Sequence, residues 1–535
     1  MGSNKGITQI LNKTFANHFA TEIKQNPLTL VIGKFSGEQN EDVSSDVAKD
    51  SLAGAVVGKT MSENVSENIS LVTKRINWKK GAIFTPYDPN KSSNDNHYCL
   101  VDDNGVFSVY MCVSNGKGYD SGLISTIKPA GNFGVIIKSE DGYEWLKLYT
   151  ISGSLSQFLT AKFMPVPTFN EIKNAPTNSI LRLAQKTVDY WYSKRNSILR
   201  IDIDSSIKNI RWTSQPEISL RQIPESTAKL NIIFSNDTTN TIQTRRGFKL
   251  ERIDVLGGGK GYGNVVNAFS LSAEPDYSEL NITSDHIVGN SYNSSLKKYG
   301  PLIKPVLYAG YLDYASVLNA DRTMVNFFID SAEIQQTTSV TSFDSVAIVQ
   351  NLKTSTDATV NIESKVGKNK PFRMSDVIQT SSSNSFVVGN EVQSTVVSGS
   401  NNTRGTGAKV AAKPNSTSIE VTRHDGNIIT TDTVWSPTLT SNTTITTSLS
   451  NDTSGVSIGT AKAAANTITG KYLGGSVAAA SSSVATVSSV DKGEGKLAQD
   501  SLVLYSNNLG ATDTITQSEG IRVRFIIGGS EVSTV

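Results

Sequence analysis

The chain is short of the residues that most chemistry needs. Among 535 residues there are two cysteines, Cys99 and Cys112, and four histidines, His18, His97, His286 and His424. So few cysteines exclude a disulfide framework or a four-cysteine metal site. Each sits in a short apolar run, "HYCLV" and "VYMCV", flanking the turn-like "DDNG". Pairing across that turn does not set the two opposite each other, so they read as reduced core residues. The histidines are scattered and form no metal-binding pattern with another ligand-type residue. No run of about 18 apolar residues occurs, so no transmembrane helix is expected. The opening "MGSNKGITQILNKTF" lacks the apolar segment of a secretory leader. It also lacks the Ser or Thr of an N-myristoylation signal, because Lys5-Gly6 stands there.

Charge is scarce as well. Charged residues make up 18% of the chain, and Lys+Arg at 50 nearly balances Asp+Glu at 48. That balance gives no field to attract nucleic acid or an anionic membrane. Hydrophobic content is 37%, and Ser, Thr, Asn and Gly fill the gap, a mix that suits short strands and turns. Sequons such as those at Asn64, Asn68, Asn281 and Asn442 follow from this composition rather than from glycosylation. A chain of this length exceeds one hydrophobic core, and roughly three or four domains are expected.

Periodicity supplies the organisation. Ile7, Leu11, Phe15, Phe19 and Ile23 recur every four residues and predict an amphipathic helix over 7–23. "LTLVIGKFS" (28–36) reads as a buried strand, and residues 37–70 as polar and loop-like. From Trp78 to about Pro167 the texture is β. "GVFSVYMCV" places Phe107, Val109, Met111 and Val113 on one face. A helix is predicted at 177–194, with Ile180, Leu183, Ala184, Val188 and Trp191 on its buried side. Strands return over 229–350, as in "KLNIIF" and "FKLERIDVL". Residues 351–490 are rich in Ser, Thr, Asn and Gly, yet "SIEVT" and "FVVGNEV" still alternate, which predicts small β modules rather than disorder. "DSLVLYSNNLG…GIRVRFIIGG" closes the chain with a strand pair.

Three stretches imitate catalytic or nucleotide-binding motifs. "VLGGGKGYGNV" (255–265) has no register with the Rossmann glycine spacing, and Gly261 stands where a Walker loop needs Ser or Thr. It reads as a turn through positive φ between strands, with Tyr262 packing back. "GAVVGKT" (54–60) has one residue too few between Gly54 and Gly58 to wrap a phosphate. "GVSIG" (455–459) matches a nucleophile elbow around Ser457, but no histidine follows it; the last is His424.

The remaining candidate is "SEDGYEWLKLY" (139–149), which sets Glu140, Asp141 and Glu144 among Tyr143, Trp145 and Tyr149. Carboxylates beside aromatic rings can build a glycan site, but glycosidases need two carboxylates facing across about 5–9.5 Å, usually from different elements. The other reading is a turn at Asp141-Gly142 followed by a packed strand. Tyr143, Trp145 and Lys147 then share one face, with Glu144, Leu146 and Leu148 on the other.

Taken in order, "INWKKGAIFTPYDP" (76–89), "HYCLVDDNGVFSVYMCVSNGKG" (97–118), "STIKP" (125–129), "EDGYEWLKLYTI" (140–151) and "FLTAKFMPVP" (158–167) form a pattern. Trp78, Tyr110, Asp141, Gly142, Tyr143, Trp145 and Pro165 carry it. "LVLYSNN" (502–508) and "TQSEGIRVRFIIG" (516–528) add Tyr505, Gln517 and Glu519. The set resembles the baseplate wedge subunit of contractile-tailed bacteriophages, the dimeric gp-eight-like wedge protein family, over about 1–330 and 495–530. The resemblance implies a mainly β fold with a few helices (α+β), elongated and multidomain, with a discontinuous two-domain core and inserted small β modules. Domain I would comprise 1–76, 229–350 and 491–535, domain II would be 77–228, and 351–490 would be the insertion. The resemblance further implies a non-enzymatic structural subunit in the virion tail baseplate, assembled in the host bacterial cytoplasm. It would carry no catalytic, cofactor or metal residues. Its partners would be a second copy of itself and other wedge proteins, not nucleic acid or membrane. The rival reading is a host-surface or glycan-binding tail protein.

Overall fold

The structure is a computed structural model. It describes residues 26–35, 52–61, 68–89, 96–116, 123–203, 225–237, 247–262, 303–308, 310–381, 386–395, 406–423, 484–498, 500–508 and 514–527, with isolated positions and short strands elsewhere. The fold is mainly β with few helices. The chain forms two compact units, both discontinuous. The first comprises Met1–Ala20, Ile69–Val325 and Phe525–Val535, and the second Thr21–Asn68 and Asn326–Arg524. Of the predicted 7–23 helix, Thr14, Ala16, His18 and Ile23 are helical, with Ala16 and Ile23 buried; Ile7, Leu11, Phe15 and Phe19 lie outside the described residues.

Early in the chain come β1 (Leu28–Gly33), β2 (Ala55–Thr60) and β3 (Ile69–Lys74). Both β1 and β2 are buried throughout. Residues 37–70 are therefore not simply loop. "GAVVGKT" is mostly a core strand, paired with β1 from Thr29↔Thr60 to Gly33↔Ala55. The valines at 56 and 57 drive this burial, and its lysine has a partner inside the protein. Lys59 Nζ donates to both carboxylate oxygens of Glu333, at 2.9 and 2.8 Å. In the second unit, β1 and β2 belong to a five-stranded sheet ordered Pro371–Arg373, β2, β1, Ser345–Gln350, Leu502–Asn508.

That unit also contains a closed six-stranded antiparallel barrel. Its order is Asp376–Thr380, Ser418–Arg423, Thr406–Asn415, Glu391–Thr395, Thr433–Trp435, Val484–Asp491. Ile378, Phe386, Val392, Val410, Ile419 and Val487 fill it. "SIEVT" is one of its strands. "FVVGNEV" is not a continuous strand. Gly389 has φ +94° and Asn390 N–H bonds Val387 O at 3.1 Å, so the chain turns here and leaves Val387 and Val388 exposed. The terminal strands do not pair with each other either. Leu502–Asn508 lies on Ser345–Gln350, and Ile521–Ile527 belongs to a different sheet. Ser457, with residues 436–483, lies outside the described residues.

In the first unit, β4 (Tyr98–Asp103), β5 (Val106–Ser114), β6 (Ile136–Lys138) and β7 (Glu144–Ile151) form a sheet ordered β4-β5-β7-β6. Asn104-Gly105 turns β4 into β5 with φ values of 52° and 85°, the left-handed pair that a tight hairpin favours. Next come β8 (Phe163–Val166), α1 (Phe169–Asn174), α2 (Ile180–Ser193) and β9 (Ile198–Ile203). Thr168 and Glu171 cap α1 reciprocally, and Ser179 caps α2.

The buried side of α2 is Ala184, Thr187, Val188 and Trp191, with Leu181 packed alongside. Ile180 and Leu183, expected there, are exposed. Leu183 falls to the side of that stripe, and Ile180 sits in the first turn beyond it. The glycine-rich loop behaves as expected. Gly259 and Gly261 have φ of +66° and +85°, Tyr262 is fully buried, and its hydroxyl accepts from Ala228 N at 2.8 Å.

Gly58 tests the reassignment of "GAVVGKT" to the core. A Cβ there would lie 2.5 Å from the Phe372 ring, so Gly58→Val is expected to overpack the site and cost about 1–3 kcal/mol. Urea unfolding checks this, and an unchanged midpoint would contradict the assignment.

Candidate functional site

The candidate site is the sheet around Ser139–Tyr149, and its geometry starts with Asp141. After β6 the chain reverses, with Gly142 at φ +87° and Ser139 N–H donating to Tyr143 O at 2.8 Å. Asp141 fastens this turn with both oxygens. Oδ2 accepts from Thr126 N (2.8 Å) and Ile127 N (2.9 Å), and Oδ1 from Ser139 Oγ (2.5 Å) and Tyr143 N (3.3 Å). Partial burial alone would raise the carboxyl's pKa, but the hydrogen bonds from Ser139, Ile127, Thr126 and Tyr143 outweigh it and hold it below its ordinary value. Glu140 is exposed. Glu144 is pushed up by burial, partly countered by Lys138, while Asp254 adds to the rise. Lys138 lies 4.0 Å from Glu144 and 3.8 Å from Asp254.

Beyond the turn, β7 is buried on both faces. One face meets Phe84, Cys99, Tyr110, Cys112, Tyr143 and Trp145, with Trp78 packed against them. Tyr143 stacks on Trp145 with ring centroids 5.3 Å apart and planes at 11°, and Phe84 meets Trp145 edge-on at 5.2 Å. The Tyr143 hydroxyl donates to Leu123 O and accepts from Phe84 N (3.1 Å). Trp78 Nε1 donates to Ser125 Oγ at 3.0 Å. Trp145 is 2% exposed, and its Nε1 has no acceptor among the described residues. The other face carries Leu146, Leu148, Tyr149 and Ile151 into a core with Val109, Met111, Val113 and α2.

A bulge explains how Leu148 and Tyr149 join one core. The register passes from Val109↔Tyr149 to Tyr110↔Lys147, leaving Leu148 without an opposite residue. Nearby carbonyls find hydroxyl donors, Thr187 Oγ1 to Lys147 O and Tyr314 Oη to Leu148 O, both at 2.8 Å. Tyr149 Oη donates to Pro165 O at 2.6 Å, which is where Pro165 of the ordered pattern enters.

Of the singled-out residues, Trp78, Tyr110, Tyr143 and Trp145 meet in one cluster, with Asp141-Gly142 closing the turn above it. Tyr505, Gln517 and Glu519 belong to the other unit. There, Tyr505 pairs with Ile348, Gln517 Nε2 donates to Thr338 O at 2.6 Å, and Glu519 Oε2 accepts from Thr516 N at 2.9 Å.

Cys99 and Cys112 are free and fully buried, and burial raises both thiols far above the range where a thiolate forms. Among the described residues no group of three His, Cys, Asp or Glu side chains could hold a metal, and no helix is long and apolar enough to cross a membrane. Sequence reasoning missed Arg200, 7% exposed, which donates to Asp202 at 2.7 Å and to the carbonyls of Tyr87 and Val113. Its signal was the Arg-x-Asp alternation inside the apolar run "ILRIDI".

Trp145→Ala is expected to destabilise the fold by about 3–5 kcal/mol. Trp145→Phe should cost much less, because it keeps an aromatic ring and removes an unpartnered N–H; chemical denaturation compares the two. Asp141 predicts a pH signature. A depressed folded pKa contributes stability above the unfolded value, about 3.9, that is lost as pH falls through the folded value. Glu144, raised, acts in the opposite sense. Asp141→Asn should therefore be less stable than wild type at neutral pH, with the gap closing below about pH 4 in urea titrations. No protein-family model matches the chain, and no curated protein matches it.

Proposed function

We propose that the protein is a structural, non-enzymatic subunit of the baseplate wedge of a contractile-tailed phage. It assembles in the bacterial cytoplasm, pairs with a second copy and binds neighbouring wedge proteins, and it follows the baseplate's rearrangement when the sheath contracts. One observation carries this reading. The residues whose order resembles the wedge family are packing residues: Trp78, Tyr110, Tyr143 and Trp145 share one cluster. The carboxylate most suggestive of chemistry, Asp141, accepts hydrogen bonds from its own turn and from Thr126 and Ile127. A glycosidase carboxylate needs open lone pairs facing a substrate.

The barrel supports the idea of an inserted contact module. The large apolar side chains exposed at its Phe386–Asn390 turn are Val387 (57%) and Val388 (49%), beside the exposed Asn390. Sugar rings favour flat aromatic faces, whereas exposed aliphatic side chains suit an apolar protein partner. This favours the wedge reading over a host-glycan one.

Co-expression of the full chain with the neighbouring baseplate proteins of its phage tests the proposal. A complex that survives size-exclusion chromatography is expected, and Glu140→Gln with Glu144→Gln should leave it intact. A chain that elutes alone, or that binds host cells or their glycans instead, would refute it.

A further inference from the structure

Within the second unit, Lys353–Thr354 is a short strand with Lys353 opposite Lys496 on one side. On its other side Lys353 bridges Asn361 in antiparallel register. The neighbouring Leu352 and Ile362 lie in the core, at 1% and 0% exposure, and Ile362 N–H donates to Leu352 O at 2.9 Å. Antiparallel partners project their side chains from one face, so backbone register itself brings Lys353 and Asn361 together. Lys353 Nζ donates to Asn361 Oδ1 at 2.6 Å and lies 3.1 Å from Asp500 Oδ2. The lysine side chain is 11% exposed, that of Asp500 60%.

Two further observations single this trio out from an ordinary surface ion pair. Asn361 is the N-cap of the helix Ile362–Val366, yet its side chain caps nothing. Asparagine at that position normally accepts a helix N–H; here its amide oxygen takes the Lys353 amine instead. Lys353 also stands directly opposite another lysine, and like charges directly across a ladder are destabilising. Converting the Lys353 ammonium to a neutral amide removes that repulsion.

We propose that Lys353 and Asn361 are the partners of an intramolecular isopeptide bond, with Asp500 as the base that serves its formation. Asp500 takes a proton from the Lys353 ammonium, and the freed lone pair attacks Asn361 Cγ. An amine in hydrogen-bond contact with Oδ1 stands near the roughly 3–3.5 Å separation from the carbonyl carbon that attack needs. The Nζ–Cγ bond forms and the Cγ–Nδ2 bond breaks. Both protons lost by the lysine nitrogen end on the leaving nitrogen, one of them through Asp500, and it departs as ammonium. Nothing is oxidised or reduced and no co-reactant is needed. The product ties the helix Ile362–Val366 to its neighbouring strand without using cysteine, in a chain whose two thiols are buried and unpaired.

Intact-mass spectrometry of the purified full-length chain, with peptide mapping, tests this. The wild type is expected to be lighter than Lys353→Arg, after correction for the substitution, by one ammonia, and to yield a branched peptide joining Lys353 to Asn361. Asp500→Ala keeps both partners and should lower the rate of branched-peptide formation by about a hundredfold or more. A wild type at its full sequence mass, with linear peptides over both residues, would overturn the proposal. An ammonia loss that persists in Lys353→Arg would also overturn it, since that marks cyclised asparagine elsewhere. An unchanged rate in Asp500→Ala would remove Asp500 from the reaction. The wild-type mass decides the bond even where a variant fails to fold.

Discussion

Burial of the β5–β7 ladder on both faces is the constraint from which the first unit's architecture follows. A strand wet on one face needs a single apolar set. Here alternate residues of β5 enter two different cores, Val109, Met111 and Val113 on one side and Tyr110 and Cys112 on the other. The two cores are chemically distinct. The first is large, mixes aliphatic residues with rings such as Tyr149, Trp191 and Tyr314, and receives α2, while the second is a compact group dominated by rings and the two thiols. Strict alternation along β7 would have sent Tyr149 to the thiol side. The bulge at Leu148 shifts the phase and sends Tyr149 and Ile151 the other way. Thr187 and Tyr314 supply the hydroxyls that a bulged ladder needs inside a dry core. Helix position and strand irregularity are thus one solution to a single problem of satisfying the backbone.

Several of the chain's few charged side chains are held wholly or partly by uncharged partners. Arg200 is held by Asp202 and two carbonyls. In the barrel, Glu420 is 1% exposed and accepts from the hydroxyls of Thr338 and Ser375 and from Ser339 N. Asp141 is filled by one hydroxyl and three backbone N–H groups. Neutral donors replace ion pairs in the last two cases, which accords with the Ser- and Thr-rich composition. Removing a single donor from such a site leaves a buried polar group unsatisfied, so these carboxylates tie distant segments together more tightly than exposed salt bridges do.

Local signals were legible in the sequence where one period dominates. The alternation of "GVFSVYMCV", the Asp141-Gly142 turn, the buried β1 and the positive-φ glycine loop around Tyr262 could all be read directly. What escaped depends on partners far along the chain. "GAVVGKT" looks like a loop because Gly and Lys interrupt its valines. Phe372 fills the space over Gly58 and Glu333 takes Lys59, and neither can be inferred from the stretch alone. Ile180 and Leu183 have the right residue type for a core, but one stands in the first turn and the other beside the buried stripe, and both are exposed. The bulge at Leu148 leaves no mark in composition, because it reflects which residue of β5 each residue of β7 meets.

The same reasoning bears on how the acidic, aromatic turn should be understood. A catalytic carboxylate is preorganised toward a substrate, with its free lone pairs directed into a cleft. Asp141 is preorganised inward, toward Thr126, Ile127 and its own turn. Aromatic rings that bind sugars present a face to solvent, whereas Tyr143 and Trp145 cover each other and are covered by Phe84. Asp141, Tyr143 and Trp145 are thus poorly placed to meet a ligand without opening the turn, whereas Glu140 is exposed. What the stretch contributes in this structure is packing and turn closure; in the scaffold role proposed above, those are the properties that would keep a binding surface in shape.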